Sequence, residues 1–327
     1  MIWTVTGGLG FIGSHFLELL DRNGEQYHLI DKQTYASNPI ESLRLRTECN
    51  LLSARYEDIC DLVSLPKSDI LVNFAAETHV DRSINESRSF LRSNVTGLHN
   101  IVDLARTIPR DIRPLIVQIS TDEVFGDAVI AGRPGEIRKF GHGDRLSPRN
   151  PYAASKAAAE HVISSFHTTY DVDYVLIRMT NNYGIRQYPE KLIPSTINRI
   201  INGSPIIVHG MGKQLRDWLH VSDCVQAIYS FSTQAFREHE LRNRSFHVAG
   251  HNPVSVNDVV GQIREIMAGL GFGSEVQYVA DRYCQDEAYG LKSDWQLSPR
   301  DLRADLEAIV DWCVPRMRNQ FALKDAA

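Results

Sequence analysis

Residues 6–13 read Thr6-Gly7-Gly8-Leu9-Gly10-Phe11-Ile12-Gly13, a G-x-x-G-x-x-G spacing that follows an apolar run, Ile2 to Val5, and opens a helix-length segment, Gly13 to Asn23. A turn of this kind lets backbone come close to a pyrophosphate. Gly7 permits the turn, Gly10 removes the side chain that would block the phosphates, Gly13 lets helix pack on strand, and the helix N-terminal N–H groups face the anion. Phe11 and Ile12 lie in the same turn and are expected to touch the ligand. A glycine turn alone is weak evidence, because it also occurs with no ligand. Context strengthens it: the second apolar run, Tyr27 to Ile30, ends at Asp31, 18 residues beyond Gly13, where a carboxylate accepts hydrogen bonds from ribose hydroxyls. An acid there repels a 2′-phosphate, so NAD is favoured over NADP, although the neighbouring Lys32 softens the inference. Asp58-Ile59, after a short third strand, are placed to bracket the adenine.

Outward from this turn, short apolar runs alternate with helix-length segments: Ile70 to Phe74, Leu115 to Ser120, Tyr174 to Arg178 and Ser245 to Ala249. Continuous apolar runs separated by helices imply βαβ crossovers and strands buried on both faces. The predicted fold class is α/β, a doubly wound parallel Rossmann sheet. Helices are predicted over Val95 to Thr107, Pro151 to Tyr170 and Ser222 to Phe236. After Tyr183 the alternation loosens, so residues 1–182 are expected to form the dinucleotide-binding domain and 183–327 a smaller, interleaved substrate lobe, with 218–250 returning to the sheet. The glycine- and proline-bearing segment Asp127 to Asn150 is the expected mobile loop.

Composition narrows the class. With 327 residues, 43% of them hydrophobic, the chain can bury well-formed cores. Net charge is −5 and the isoelectric point is near 6.2, with no basic block, so no footprint for nucleic acid is expected. Five scattered cysteines, Cys49, Cys60, Cys224, Cys284 and Cys313, suit neither a disulfide framework nor paired metal ligands. A reducing cytoplasm is the expected location, with no membrane span, no targeting segment and no metal.

The chemistry-bearing residues gather in two places. Tyr152 and Lys156 stand four apart at the start of a predicted helix and project from one face. A phenol is a poor base at neutral pH, but an adjacent ammonium and a nicotinamide cation both favour phenolate, which takes a proton from a hydroxyl as hydride leaves. The same spacing also fits an ordinary surface pair. Ser120-Thr121-Asp122-Glu123-Val124-Phe125-Gly126 closes a strand, where open α/β sheets place ligands. Thr121 is expected to hydrogen-bond the reacting hydroxyl. Asp122 and Glu123, past the strand's edge, are both expected to reach one substrate rather than face opposite ways as in a regular strand. Two carboxyls in different environments divide acid and base work. A proton beside a new ketone is acidic enough for Glu123 to remove. A departing hydroxyl needs a proton, which Asp122 supplies if burial or its like-charged neighbour raises its pKa.

With these residues in place, the chain resembles the dTDP-glucose 4,6-dehydratases of the extended short-chain dehydrogenase/reductase superfamily over nearly its whole length. The likeness includes Asn73-Phe-Ala-Ala-Glu-Thr-His-Val-Asp-Arg-Ser-Ile84, Ser120 to Gly126, Tyr152-x-x-x-Lys156, Asn181-Asn-Tyr-Gly184, Pro189-Glu-Lys-Leu-Ile-Pro194 and Arg216-Asp-Trp-Leu-His220. The resemblance implies conversion of dTDP-glucose to dTDP-4-keto-6-deoxyglucose by oxidation at C4, loss of water across C5 and C6 and hydride return to C6. It further implies that Phe74, Ala75, Ala76, Thr78 and Ser93 line the NAD site. Asn181, Lys191, Leu192, Ile193, Arg216 and Asn252 are implied at the sugar or its diphosphate, and a homodimer through Val95 to Thr107 and Pro151 to Tyr170, a four-helix interface. Arg216 suits a diphosphate as a planar, permanently charged donor; a surface ion pair is its competing role.

The C-terminal third departs from this pattern. Where the family usually reads Asp-Arg-Pro-Gly-His-Asp-Arg-Arg-Tyr, this chain has Asp281-Arg-Tyr-Cys-Gln-Asp-Glu-Ala-Tyr289. Arg282, Asp286 and Tyr289 remain, while Glu287 and Ala288 replace cations in the segment that grips the nucleotide, so the departure leaves the nucleobase and the hexose open while the redox core is kept. The competing readings are another nucleotide-sugar reaction on the same scaffold, 4-epimerisation or 5,6-dehydration, and a catalytically silent NAD-binding protein. An epimerase has no use for a C5 base and C6 acid.

Overall fold

Six apolar runs and a shorter third strand assemble into a seven-stranded, all-parallel sheet in a computed structural model that describes residues 1–45, 50–130, 136–251, 253–283, 286–298 and 300–324. The strands are β1 (Ile2–Thr6), β2 (Gln26–Ile30), β3 (Leu51–Arg55), β4 (Ile70–Asn73), β5 (Leu115–Thr121) and β6 (Tyr174–Met179). Further along the chain come β7 (Asn181–Tyr183), β8 (Ile206–His209), β9 (Leu215–His220), β10 (Arg244–Val248), β11 (Pro253–Ser255) and β12 (Val276–Val279). The order in the large sheet is β10-β6-β5-β4-β1-β2-β3. All seven residues of β5 are buried. Alternate side chains explain why: Val72, Val117, Val175 and Ile177 enter one core, and Leu71, Ile116 and Leu176 enter the other.

Helices α1 (Phe11–Arg22), α2 (Val80–Asn85), α3 (Ser87–Phe90), α4 (Gly97–Thr107), α5 (Pro151–Tyr170), α6 (Leu192–Ile201), α7 (Val221–Arg237), α8 (Val256–Gly269) and α9 (Leu302–Lys324) complete the chain. Phe16 and Leu17 of α1 and Ile228 and Phe231 of α7 cover one face of the sheet. Leu98 and Ile101 of α4 and Ile163 and Phe166 of α5 cover the other. A π-helical turn, Leu91–Thr96, joins α3 to α4, so the helix predicted from Val95 continues a longer helical run. From β1 the chain winds out through β2 and β3, then crosses back to β4 on the other side of β1. The crevice at the carboxyl ends of β1 and β4 is therefore the topological switch point, where such sheets bind ligands.

Beyond Tyr183 the structure is more regular than the charge and glycine content predicts. A third core, with Ile197, Ile263, Leu306 and Val310, gathers α6, α8 and α9 around the small sheets β11-β9-β7 and β12-β8. The return to the large sheet begins at α7 rather than at Trp218, since Trp218, Leu219 and His220 pair with Asn181, Asn182 and Tyr183 in the three-stranded sheet. The segment predicted to be a mobile loop is packed in its described parts. Phe140 stacks on Phe125 with ring centroids 5.0 Å apart, Ala128 is buried, and Phe140 bridges to Leu291.

Helix α1 starts against the glycine turn so closely that a Cβ on Gly13 would lie 2.3 Å from the Gly7 carbonyl oxygen, which is backbone and cannot swing aside. Gly13→Ala would gain about 1 kcal/mol in helix propensity, yet overpacking costs about 1–3 kcal/mol and here separates α1 from the turn. The variant is expected to have a lower urea midpoint than the parent chain at unchanged m-value; an equal or higher midpoint would contradict this packing.

Candidate active site

The glycine turn builds an anion cradle from backbone. Gly7 has φ +67°, and a Cβ there would stand 2.5 Å from the Ala75 nitrogen of the next crossover. Gly10 is the N-cap of α1 and offers no side-chain cap, so the first-turn N–H groups of this helix have no capping acceptor. Asp31, buried at the end of β2, accepts from the Leu9 N–H at 2.9 Å, the Gln33 N–H at 2.8 Å and the Ser37 hydroxyl at 3.2 Å. A carboxylate has about four acceptor positions, so capacity remains for a ribose hydroxyl. Lys32 stands between Asp58, at 3.8 Å, and Glu77, at 3.6 Å. Gly7, Gly10 to Gly13, Asp31, Asp58, Ile59, Phe74 to Ala76, Thr78 and Ser93 all line one continuous cleft.

The same cleft is lined further along by Thr121, Asp122, Glu123, Tyr152 and Lys156. Immediately after β5 the chain enters a 3-10 turn, Asp122–Phe125, in which the Glu123 N–H bonds back to the Thr121 hydroxyl at 3.3 Å. That turn, rather than strand alternation, brings both acids to the cleft. Asn150 caps α5 through the Ala153 N–H at 2.8 Å, and its amide also donates to Glu123 at 3.2 Å. One residue thus starts the helix that carries Tyr152 and Lys156 and holds the neighbouring acid.

The electrostatics divide these groups. Burial, and then the charge of Glu123, holds the Asp122 carboxyl well above the carboxylate range, and its Oδ2 has no protein partner. Glu123 is also pushed up by burial, but Asn150, Arg216, Lys191 and Tyr289 draw it back. Burial raises the Tyr152 phenol, with Glu123 and Asp122 adding to the rise, while Thr121 opposes it. These surroundings favour the protonated phenol, and the activation expected from Lys156 is not among the influences that shift it. Lys156, 5% exposed, donates to the Ile119 carbonyl at 2.6 Å, and burial brings it down to about 8.

Of the residues expected at the sugar end, Asn181 and Lys191 line the cleft, and Lys191 donates to the Thr78 carbonyl at 2.9 Å. Leu192 and Ile193 do not line it: Ile193 is buried in the third core and Leu192 packs against it, because the first turn of α6 directs its apolar side inward. Arg216, on β9, donates to the Asp286 carbonyl at 2.9 Å and lies 4.4 Å over the ring of Tyr289. It meets carbonyls and an aromatic face instead of the acid partner of a surface ion pair. Arg282 pairs with Asp81 of α2 at 2.8 Å. Asn252 lies outside the described residues. Sequence reasoning missed Tyr35, Tyr188 and Glu190, which also line the cleft; Tyr35 donates to Glu190 at 3.2 Å and meets Tyr188 edge-on, joining segments 153 positions apart that no local pattern links. Among the described residues, no helix is long and apolar enough to cross a membrane, and no group of three or more His, Cys, Asp or Glu is placed to hold a metal ion.

Comparison with known proteins places this geometry. The family model described as GDP-mannose 4,6 dehydratase matches residues 4–283. The dTDP-glucose 4,6-dehydratase of Salmonella typhimurium is 32% identical over 311 residues, covering 88% of this chain and 84% of the relative. A low-salt glycan biosynthesis protein from Haloferax volcanii is 35% identical over 293 residues, covering 88% of each. Among solved structures, the dTDP-glucose 4,6-dehydratase DesIV of Streptomyces venezuelae, determined with NAD and dTDP bound, is 30% identical and superposes with a TM-score of 0.81, covering 95% of this chain and 96% of its own.

Asp286 supplies a stability test of the site's burial. It is 1% exposed, and burial lifts its carboxyl from an ordinary 3.8 to about 6, with Arg149 opposing and Asp127 and Glu123 adding. Between these values the folded chain holds a proton that the unfolded chain has lost, so stability falls as pH rises through that window. Asn at this position never ionises. The stability of Asp286→Asn relative to the parent is therefore expected to rise by on the order of 2 kcal/mol between pH 4 and pH 7 in urea titrations; a constant difference would contradict it.

Proposed function

Because the chain belongs to the 4,6-dehydratase family, we propose that it is an NAD-dependent hydro-lyase that converts a nucleotide-diphosphate hexose, dTDP-glucose first among the candidates, into its 4-keto-6-deoxy derivative. The observation that carries this reading is the pair Asp122 and Glu123, side by side on the cleft wall near Tyr152, in surroundings that separate their acidities. The dinucleotide fits the uncapped start of α1, the close approach of Gly7 to Ala75 and the remaining acceptor capacity of Asp31. Lys32, already between two acids, offers little to a 2′-phosphate, which supports NAD over NADP. When bound, NAD supplies the hydride chemistry, acceptance from C4 and return at C6.

The chain's own groups do the proton work in this proposal. Tyr152 takes the proton of the C4 hydroxyl, which Thr121 orients, and Lys156 is the chain's own cation beside it. Glu123, partly drawn back toward ionisation, removes the C5 proton once C4 is a ketone and gives a proton back to C5 when hydride arrives at C6. Asp122, held protonated, gives its proton to the C6 hydroxyl as it leaves as water. Arg216, Lys191 and Asn181 take the sugar and diphosphate, with Arg282 and Tyr289 toward the nucleotide. Residues 1–182 with the return segment form the cofactor domain, and 183–327 the nucleotide-sugar lobe. A cytoplasmic homodimer completes the proposal: α4 and α5 lie side by side, and the outward stripe of α5 carries the small side chains Ala154, Ala158 and Ser165, with His161 the one larger group among them.

Incubation with dTDP-, UDP- and GDP-hexoses, followed by mass measurement, is expected to show loss of water with dTDP-glucose preferred; equal use of all three would remove the thymidine assignment. Glu123→Gln is expected to lower 4-keto-6-deoxy product formation by about 100-fold or more while leaving cofactor reduction in a single turnover. Unchanged turnover would end the role of Glu123 as base. In sedimentation velocity the parent is expected as a dimer and Ala158→Arg as a monomer; a monomeric parent would refute the interface.

A further inference from the structure

Glu160 stands one helical turn beyond Lys156 on the stripe of α5 that also carries Tyr152, and the chemistry above makes no use of it. It is 3% exposed. The Ser120 hydroxyl donates to Glu160 Oε1 at 2.5 Å, and Arg178 of β6 grips the carboxylate with two nitrogens, Nε to Oε1 at 3.0 Å and Nη2 to Oε2 at 2.7 Å. The remaining Arg178 nitrogen, Nη1, meets His247 Nε2 at 3.0 Å, and the guanidinium lies 5.0 Å over the ring of Phe125. A charged pair so thoroughly desolvated is costly to maintain unless its geometry serves something.

We propose that Glu160 is a positioning residue for the redox couple: fixed by Ser120 and Arg178, it holds α5 against β5 and β6 so that the Lys156 side chain stays seated on the Ile119 carbonyl. The inference rests on the reading of Tyr152 and Lys156 as that couple. Three consecutive residues of β5 meet three side chains one turn apart on α5: Thr121 faces Tyr152, the Ile119 carbonyl takes Lys156, and Ser120 takes Glu160. Burial pulls the Lys156 ammonium down to about 8, and the charge that opposes this is Glu160. The titratable and charged groups around this stretch are Tyr152 and Glu160 on α5, Asp122 and Glu123 after β5, Arg178 on β6 and His247 on β10. Beyond them, His142 and Asp294 contact one another at 3.0 Å. Removing the carboxylate leaves Lys156 with burial alone, and near neutral pH it would shed its proton.

The test reads the lysine directly. In protein carrying ε-carbon-labelled lysine, with the Lys156 signal assigned by its loss in Lys156→Met, Glu160→Gln is expected to raise the acid dissociation constant of Lys156 about tenfold or more. The alkaline limb of kcat/KM is expected to move to lower pH with it, while Glu160→Asp stays close to the parent. If Glu160→Gln fails to fold because Arg178 loses its partner, the double variant Glu160→Leu, Arg178→Met is read instead, with a smaller shift of Lys156 in the same direction expected because the cation leaves together with the carboxylate. An unmoved Lys156 titration, or activity lost equally at every pH with that titration unmoved, would reduce Glu160 to a packing role and overturn the proposal. The titration needs no turnover, so a parent chain that fails to dehydrate any sugar would refute the function while leaving this result readable.

Discussion

An ammonium taken out of water with the Ile119 carbonyl at 2.6 Å from its nitrogen is the constraint around which the cleft is organised. Such a group stays in place only if the helix that carries it cannot shift along the strand beneath. Helix α5 meets that demand from both ends of its first half. Asn150 fixes its start, and Glu160, two turns in, is held to β5 and β6 by Ser120 and Arg178. The cap also donates to Glu123, so displacement of the helix would disturb the acid pair as well as the phenol. Helix start, the Tyr152–Lys156 pair and the acid pair therefore form one mechanical unit.

The second group of elements contributes charge as much as shape. Asp122 and Glu123 are both raised by burial, and what draws Glu123 back is the Asn150 amide together with Arg216 and Lys191, from β9 and the approach to α6, while Asp122 feels Arg216 but also the charges of Glu123 and Asp217 pushing it up. Those cations must be carried to the cleft on elements with a core of their own. The approach segment is fastened to the dinucleotide side by Arg186, which has φ +68° and pairs with Glu18 of α1 at 2.7 Å. A non-glycine residue in that region carries backbone strain, which the surrounding contacts must offset. The result is that the helix expected to face the pyrophosphate and the loop that delivers Lys191 move together.

The large sheet was legible because its strands are buried on both faces, which leaves continuous apolar runs that no loop would tolerate. The smaller sheets were not: Asn181–Tyr183 and Leu215–His220 mix polar and charged residues because each presents a side to the cleft or to a neighbouring turn. The acid pair could be anticipated from its place past a strand end, and the dinucleotide residues from glycine spacing and an acid at the next strand's end. Glu160 could not, since an acid four residues after a lysine on a helix reads as a solvated pair until Arg178 is brought in from another strand. Leu192 and Ile193 show the opposite error. Their motif lies near the cleft, but motif membership says nothing about which way a helical side chain points, and here the third core claims them.

The departure at residues 281–289 has a physical logic of its own. Ala288 is buried beside Val124, Phe125 and Phe140, and its N–H donates to Asp127 at 3.2 Å. A long cationic side chain at that position would have to leave this cluster or break it. The segment thus packs against the turn that carries Asp122 and Glu123. Arg149 answers the acids that result, reaching Asp127 at 2.8 Å and Asp286 at 3.2 Å. Arg216, held by the carbonyls of Leu215 and Asp286 and by the Tyr289 ring, keeps its charge without a neutralising carboxylate in contact. In the proposed assignment the diphosphate falls to Arg216 and Lys191, which are also among the groups that draw Glu123 back. Substrate binding and the strength of the base are consequently coupled: an anion placed between those cations would weaken their pull on Glu123 and make its carboxylate more basic when the hexose arrives.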